Sequence, residues 1–204
     1  MPDVLPAIRD RRARRAIASR PIPREVLETL AEAFRLAPSQ GNNQPARLLF
    51  AIDQGVHEAV FAGLTRGNKN WAGAAPVLAA VAAVPAHDPP LTLPGDVERS
   101  YWQFDTGLAA ANLMVQATAL GLIAHPMAGF DEPEVRAAFA APEHLRILAV
   151  VAIGYPGDVS ALPEDLQARE AAPQRRLPAA NVVAFDRWSE ANDLSFTEFR
   201  KASP

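Results

Sequence analysis

Cysteine is missing from all 204 residues of this chain. Disulfides, thiolate nucleophiles and cysteine-ligated zinc or iron–sulfur centres are thereby excluded, and a reducing cytoplasm is the expected setting. Long apolar runs are missing too. The stretches AGAAPVLAAVAAVPA and LRILAVVAIGYP are short and carry proline, whereas a bilayer-spanning helix takes about 20 apolar residues, so no membrane association is expected. The opening MPDVLPAIRDRRARRAIASR holds no apolar stretch suited to a signal peptide, and Asp3 and Asp10 argue against a transit peptide. Excess positive charge is also absent. The formal net charge is -3, which argues against a surface built throughout for nucleic acid.

Local signatures of several chemistries are lacking as well. His57, His87, His125 and His144 stand singly, without H-x-x-x-H or H-E-x-x-H spacing, and no metal site is expected. There is no G-x-x-x-x-G-K-[ST], no G-x-G-x-x-G and no G-x-S-x-G, which removes the P-loop, the Rossmann fingerprint and the hydrolase elbow. An enzyme on this chain would take its chemistry from a cofactor.

What the chain does hold is apolar residues, 49% of the total, enough for one substantial core and a single domain over residues 1–204. From Pro23 to Ala37, PREVLETLAEAFRLA sets Val26, Leu27, Leu30, Ala33, Phe34 and Ala37 at helical spacing. Short apolar runs at Arg47 to Ile52, Val77 to Val84 and Leu145 to Ile153 read as strands. QFDTGLAAANLMVQATALGL is apolar around nearly its whole circumference and predicts a helix buried on all sides, stopped by Gly121. Either it is the centre of a monomer or it pairs with a second copy of the chain. Asp131 is a helix cap for DEPEVRAAFA. PGDVSALPEDLQAREAAPQ reads as an exposed connection and VVAFDRW as a further strand. Without regular βαβ alternation, the class is α+β.

Three polar constellations stand out. RDRRARR concentrates Arg9, Arg11, Arg12, Arg14 and Arg15 in an acidic chain. On a helix Arg11 and Arg15 share a face, as do Arg12 and Arg15, so three guanidiniums could converge on one phosphate at about 1.5–3 kcal/mol per charge-assisted contact. A solvated charged face and a nucleic-acid patch are the alternatives, the latter weakened by the lack of nearby aromatics. In APSQGNNQP, the side chains of Ser39, Gln40, Asn42, Asn43 and Gln44 both donate and accept without charge, which suits a heterocycle or polyol; a plain surface loop is the alternative. GNKNWAGAAP offers Asn68 and Trp71, and HPMAGFD offers Pro126 and Gly129, where main-chain N–H groups could approach a planar ligand unless the segment is simply a turn.

In order along the chain, these pieces resemble the nitroreductase family of flavin enzymes. RRARRAI is similar to the family's R-R-S-x-R-x-F motif and APSQGNNQP to its A-P-S-x-x-N-x-Q-P loop. Asn68 ahead of AAPVLAAVA, the helix DTGLAAANLMVQATALGL, HPMAGFD, LAVVAIGYP and QRRLPAANVV follow in the family's order. The resemblance implies an α+β fold with a mixed or antiparallel sheet flanked by helices. It also implies a long buried helix at the interface of a homodimer, with FMN bound between the subunits. Arg11, Arg12, Arg15 and Arg176 would hold the FMN phosphate, with Ala13 in the same motif. Ser39 and Asn42 would reach the flavin from the partner subunit with Gln44 close by, Asn68 would bond the isoalloxazine edge, and main-chain groups of Pro126, Met127, Ala128 and Gly129 would line the ring.

No catalytic side chain is implied, since flavin N5 carries the chemistry. NADH or NADPH would be the reductant and a small molecule such as a nitroaromatic or quinone the acceptor. Oxidative or dehalogenating flavin chemistry is an alternative, as is a non-enzymatic basic-helix module. Ala13 replaces the family's usual serine, at a cost of about 1 kcal/mol for one hydrogen bond. Ala46 replaces a frequent aromatic, and Arg47 follows it. Trp71 could pack or cap a site, and Tyr101 and Trp102 fit either a lid or interface packing.

Overall fold

A strand apolar at every position has to be covered on both faces, and Val77–Ala83 is such a strand: all of VLAAVAA is buried. In the computed structural model, which describes residues 3–202, it is the second strand (β2) of a four-stranded antiparallel sheet. Its partners are β1 (Ala46–Ala51), β6 (Arg146–Gly154) and β5 (Ile123–Met127), in the order β1-β2-β6-β5. Because side chains alternate along a strand, Val77, Ala79 and Val81 face one layer and Leu78, Ala80 and Ala82 the other.

The first layer is α2 (Arg24–Arg35) and α5 (Trp102–Ala119), which bring Leu27, Leu30, Phe34, Ala109, Leu113 and Ala117 onto the sheet. The second includes α3 (Gln54–Ala62), α4 (Arg66–Ala72), α6 (Glu132–Ala138) and α7 (Glu164–Ala171), with Val60, Trp71, Val135 and Leu166 buried there. The short helix α1 (Pro6–Asp10) precedes these, and a small hairpin, β3 (Leu91–Leu93) with β4 (Val97–Arg99), stands before α5. None of the described helices is long and apolar enough to cross a membrane.

The expected α2 and first three strands are present within a residue or two. Gly121 takes φ 72° after α5, as a helix stop requires, and the Asp131 carboxylate accepts the Glu134 N–H at the start of α6. Four expectations change before Ala171. The arginine run is not helical: α1 ends at Asp10, and Arg11 has φ -58° and ψ 123°. Pro126 and Met127 lie in edge strand β5 rather than in a turn, and at an edge proline's missing N–H costs no ladder bond. The connection after Gly157 is not wholly exposed, because α7 buries Leu166 and Glu170 and Leu162 is buried before it. Finally, α5 is not buried on all sides within one chain. Asp105, Ala109, Leu113 and Ala117 form a buried stripe at fourfold spacing, while Phe104 and Leu120 are exposed.

The chain divides into two compact units, Met1–Glu170 and Ala171–Pro204. The second carries helical turns at Ala179–Asn181 and Glu190–Asp193 and the helix α8 (Phe196–Ala202). VVAFDRW is not a strand. The Val183 N–H closes a helical turn on the Ala179 carbonyl, and Asp186 at φ 69° cannot continue an extended chain.

Leu113 has no exposed surface at the centre of the α2/α5 layer. Leu113→Ala should lower unfolding stability by about 2–5 kcal/mol, read as a lower urea midpoint with an unchanged slope.

Candidate functional site

A segment outside helix and sheet has no regular partners for its peptide groups, and each must be paired from elsewhere. Arg11 to Arg15 is such a segment. The Arg15 N–H lies 3.2 and 3.1 Å from the two carboxylate oxygens of Glu170 on α7. The Arg14 carbonyl accepts from His125 Nδ1 on β5 at 2.9 Å. A carbonyl can only accept, so His125 carries its proton on Nδ1. Beyond Arg15 the chain is bridged to the end of β6, with Gly157 N–H donating to Ala16 O and Ala18 N–H to Tyr155 O.

The His125 ring stacks on Trp71 of α4 at 4.4 Å between centroids, and the Arg15 guanidinium sits 6.0 Å from the Trp71 ring. Burial pushes the His125 imidazole below its ordinary value. The Arg14 carbonyl and Glu170 oppose that shift, and Arg15 adds to it. Arg14 differs from its neighbours: its guanidinium is 3.8 Å from Glu170 and 44% exposed. Arg11, Arg12 and Arg15 are half-buried, and Ala13 is exposed.

Asn68 sits one turn before Trp71 on α4. Its Nδ2 donates to the Gly129 carbonyl at 2.9 Å, and the N–H and hydroxyl of Thr65 donate to the same oxygen at 3.0 and 3.1 Å. A Cβ on Gly129 would stand 2.5 Å from Thr65 Oγ1, which is why only glycine fits there. With its N–H₂ so engaged, the Asn68 amide keeps its oxygen as an acceptor. Pro126 and Ala128 lie beside this junction, while the Met127 side chain is buried in the core. Arg15, Asn68 and Pro126 to Gly129 are thus gathered around α4 and the end of β5.

The loop Ala37 to Pro45 lies on the other layer. Gly41, Asn42 and Gln44 all take positive φ, at 54°, 58° and 49°. Ser39 Oγ accepts the Gln44 N–H at 2.9 Å, and the Gln40 N–H bonds Asp105 of α5 at 3.0 Å. Asp88 receives the N–H groups of Tyr101 and Trp102 at 2.6 and 2.8 Å, capping α5 from a distance, and also faces Asn43 at 3.4 Å. Asn42 and Gln44 remain exposed. Arg47 does not project into open space: its guanidinium donates to the carbonyls of Gln44 and Ala46 and contacts His87 Nδ1. A cleft of about 290 Å³ lies beside the loop, lined by Phe34, Ser39, Gln44, Leu48 and Ala109 among others. Arg176 belongs to the Ala171–Pro204 unit, where its Nη1 donates to Arg175 O.

Asp88, Asp105, Thr65, His125 and Glu170 hold these segments, yet none was marked by a sequence motif as a support. Each acts on a residue distant in the chain. A buried carboxylate carries no local signature, although Asp105 at the head of an otherwise apolar helix is an anomaly that invites the question.

The model described as Nitroreductase family matches residues 8–155, and the chain belongs to that family. An uncharacterised 15.4 kDa protein of Mycolicibacterium smegmatis is 40% identical over 129 residues, 62% of this chain and 81% of that protein. A Xanthomonas oryzae protein is 33% identical over 171 residues, 76% of this chain and 85% of its own; its name, provisional in its own right, is NADH dehydrogenase/NAD(P)H nitroreductase. A solved structure titled as an oxidoreductase containing FMN superposes with a TM-score of 0.80 at 33% identity, covering 92% of this chain and 93% of that one. A nitroreductase family protein of Clostridium difficile shares the fold at a TM-score of 0.71 and 23% identity, over 91% and 99% of the two chains.

Because the folded His125 resists a proton that the unfolded chain takes at about the ordinary 6.5, stability is full above that value and declines as pH falls through it. Thermal melts between about pH 7 and about pH 5 should show a smaller loss for His125→Gln than for the wild type.

Proposed function

We propose that the protein is an FMN-dependent oxidoreductase. In this reading bound FMN would supply, through N5, hydride transfer from NADH or NADPH to a small acceptor such as a nitroaromatic or quinone. The observation that carries the proposal is the gathering of Arg15, Asn68 and Pro126 to Gly129 around α4 and β5 in a chain of the nitroreductase family. The donor set suits that cofactor. The guanidiniums of Arg11, Arg12 and Arg15 meet a phosphate with charge-assisted hydrogen bonds, and the free oxygen of the Asn68 amide accepts from a ring N–H. Main-chain groups of Pro126, Met127, Ala128 and Gly129 would border the ring.

The loop that carries Ser39, Asn42 and Gln44 is tied to α5 through the Gln40 N–H and Asp105, on the opposite layer from the arginines. Each chain therefore supplies its loop to the cofactor of a second copy, and residues 1–204 act as one FMN-binding domain within a homodimer. The apolar α5 side chains left exposed in one chain, Phe104 and Leu120, are covered by that pairing. The protein's contribution to rate is placement: a reductant stacked against a fixed ring reacts as an intramolecular partner. No side-chain acid is required at the start, and the cytoplasm supplies the reductant. The basic-helix module loses its premise, because Arg11 to Arg15 is not a helix.

The purified protein should be yellow, with flavin absorption that bleaches on adding NADH or NADPH; a colourless protein that gains no flavin from added FMN overturns the reading. Replacing Arg12 and Arg15 together by Ala should weaken FMN binding by about 100-fold or more, from two contacts of about 1.5–3 kcal/mol each. Fluorescence titration measures it.

A further inference from the structure

We propose that Glu170 and His125 are positioning residues that grip one peptide unit, the Arg14–Arg15 bond, and thereby aim the Arg15 side chain at an anionic group; that group is the FMN phosphate on the reading above. The Arg14 C=O and the Arg15 N–H are the two polar atoms of that single plane. They point in opposite directions, and each is held by a buried side chain from a different element: His125 Nδ1 of β5 on the oxygen at 2.9 Å, and both Glu170 oxygens of α7 on the N–H at 3.2 and 3.1 Å. A plane held at both ends cannot rotate.

Glu170 is an expensive way to satisfy one N–H. Its side chain is 3% exposed, and desolvating a carboxylate costs far more than burying a neutral acceptor. The charge also faces the Arg14 guanidinium at 3.8 Å, which turns that side chain toward α7 and leaves Arg15 over the Trp71–His125 stack. The groups around His125 are the Arg14 carbonyl, Arg15, Glu170 and Trp71. The same carboxylate that holds Arg15 also repels a phosphate, so its value must lie in geometry rather than in charge.

That distinction sets the test. FMN affinity would be measured by fluorescence quenching at pH about 7.5 for the wild type and for Glu170→Gln, Glu170→Asp and Glu170→Ala. Amide hydrogen exchange at Arg15 would be followed in the same proteins without FMN. Glutamine keeps an acceptor at the same reach and should bind FMN within about threefold of wild type. Aspartate keeps the charge but withdraws it by one methylene, and alanine removes both; each should weaken binding about tenfold or more and speed exchange of the Arg15 amide. The reverse order, with aspartate like wild type and glutamine weak, overturns the proposal, as does wild-type behaviour of all three. Should Glu170→Ala fail to fold, the glutamine and aspartate variants decide alone. A wild-type protein that binds no FMN would overturn the function proposed above, and the exchange rates would still judge the grip: faster exchange in the aspartate variant upholds it, and unchanged exchange overturns it.

Discussion

A peptide group that leaves water must find a hydrogen-bond partner, and in this protein two of the segments bearing the candidate chemistry do not find one in a helix or sheet. Arg11 to Arg15 and Ala37 to Pro45 have irregular backbones beside a densely packed sheet. Their partners are buried side chains: Glu170 and His125 for the first, Asp105 for the second, while Asp88 ties the start of α5 to the same loop. The sheet makes this possible. β2 presents mostly small side chains to both layers, and Glu170 of α7 in one layer and Asp105 of α5 in the other each reach a neighbouring irregular segment.

The buried ionisable residues therefore have a common task. Asp88, Asp105, His125 and Glu170 are each under a tenth exposed, and each bonds main chain at the start of α5 or in an irregular segment. Buried charge is a poor source of net stability but a strict one of geometry, since an unpaired alternative is costly. Thr65 and Asn68 do the same with neutral groups at the Gly129 carbonyl. An enzyme whose cofactor supplies the reactivity needs rigid placement more than it needs acids and bases, and the interior of this chain is organised for placement.

Much of the fold was legible in advance. The helical spacing of Val26 to Phe34, the unbroken apolar runs of β2 and β6, the Asp131 cap and the Gly121 stop rest on local rules that hold wherever the segment sits. Composition suits the arginine segment to a helix, yet α1 ends at Asp10, and the pairing of Ile17 with Pro156 draws the chain beyond Arg15 along the end of β6. HPMAGFD, with its proline and glycine, suits a ligand-lining connection or a plain turn, yet its first part is edge strand β5, which accepts proline without loss. The family motifs named Arg15, Asn68 and Gly129 as site residues. Nothing local named Glu170, which lies 155 positions from the backbone it holds.

The sequence by itself determined the α+β class, the family and the exclusion of cysteine chemistry, because periodicity, motif order and composition are properties of the chain taken in segments. Only the tertiary structure decided which arginine faces the stack and which pairs with α7, which carboxylates are buried, and that the polar loop and the arginine segment lie on opposite layers. Those facts depend on distances between residues far apart in sequence, and such distances come into being only when the helices close over the two faces of the sheet.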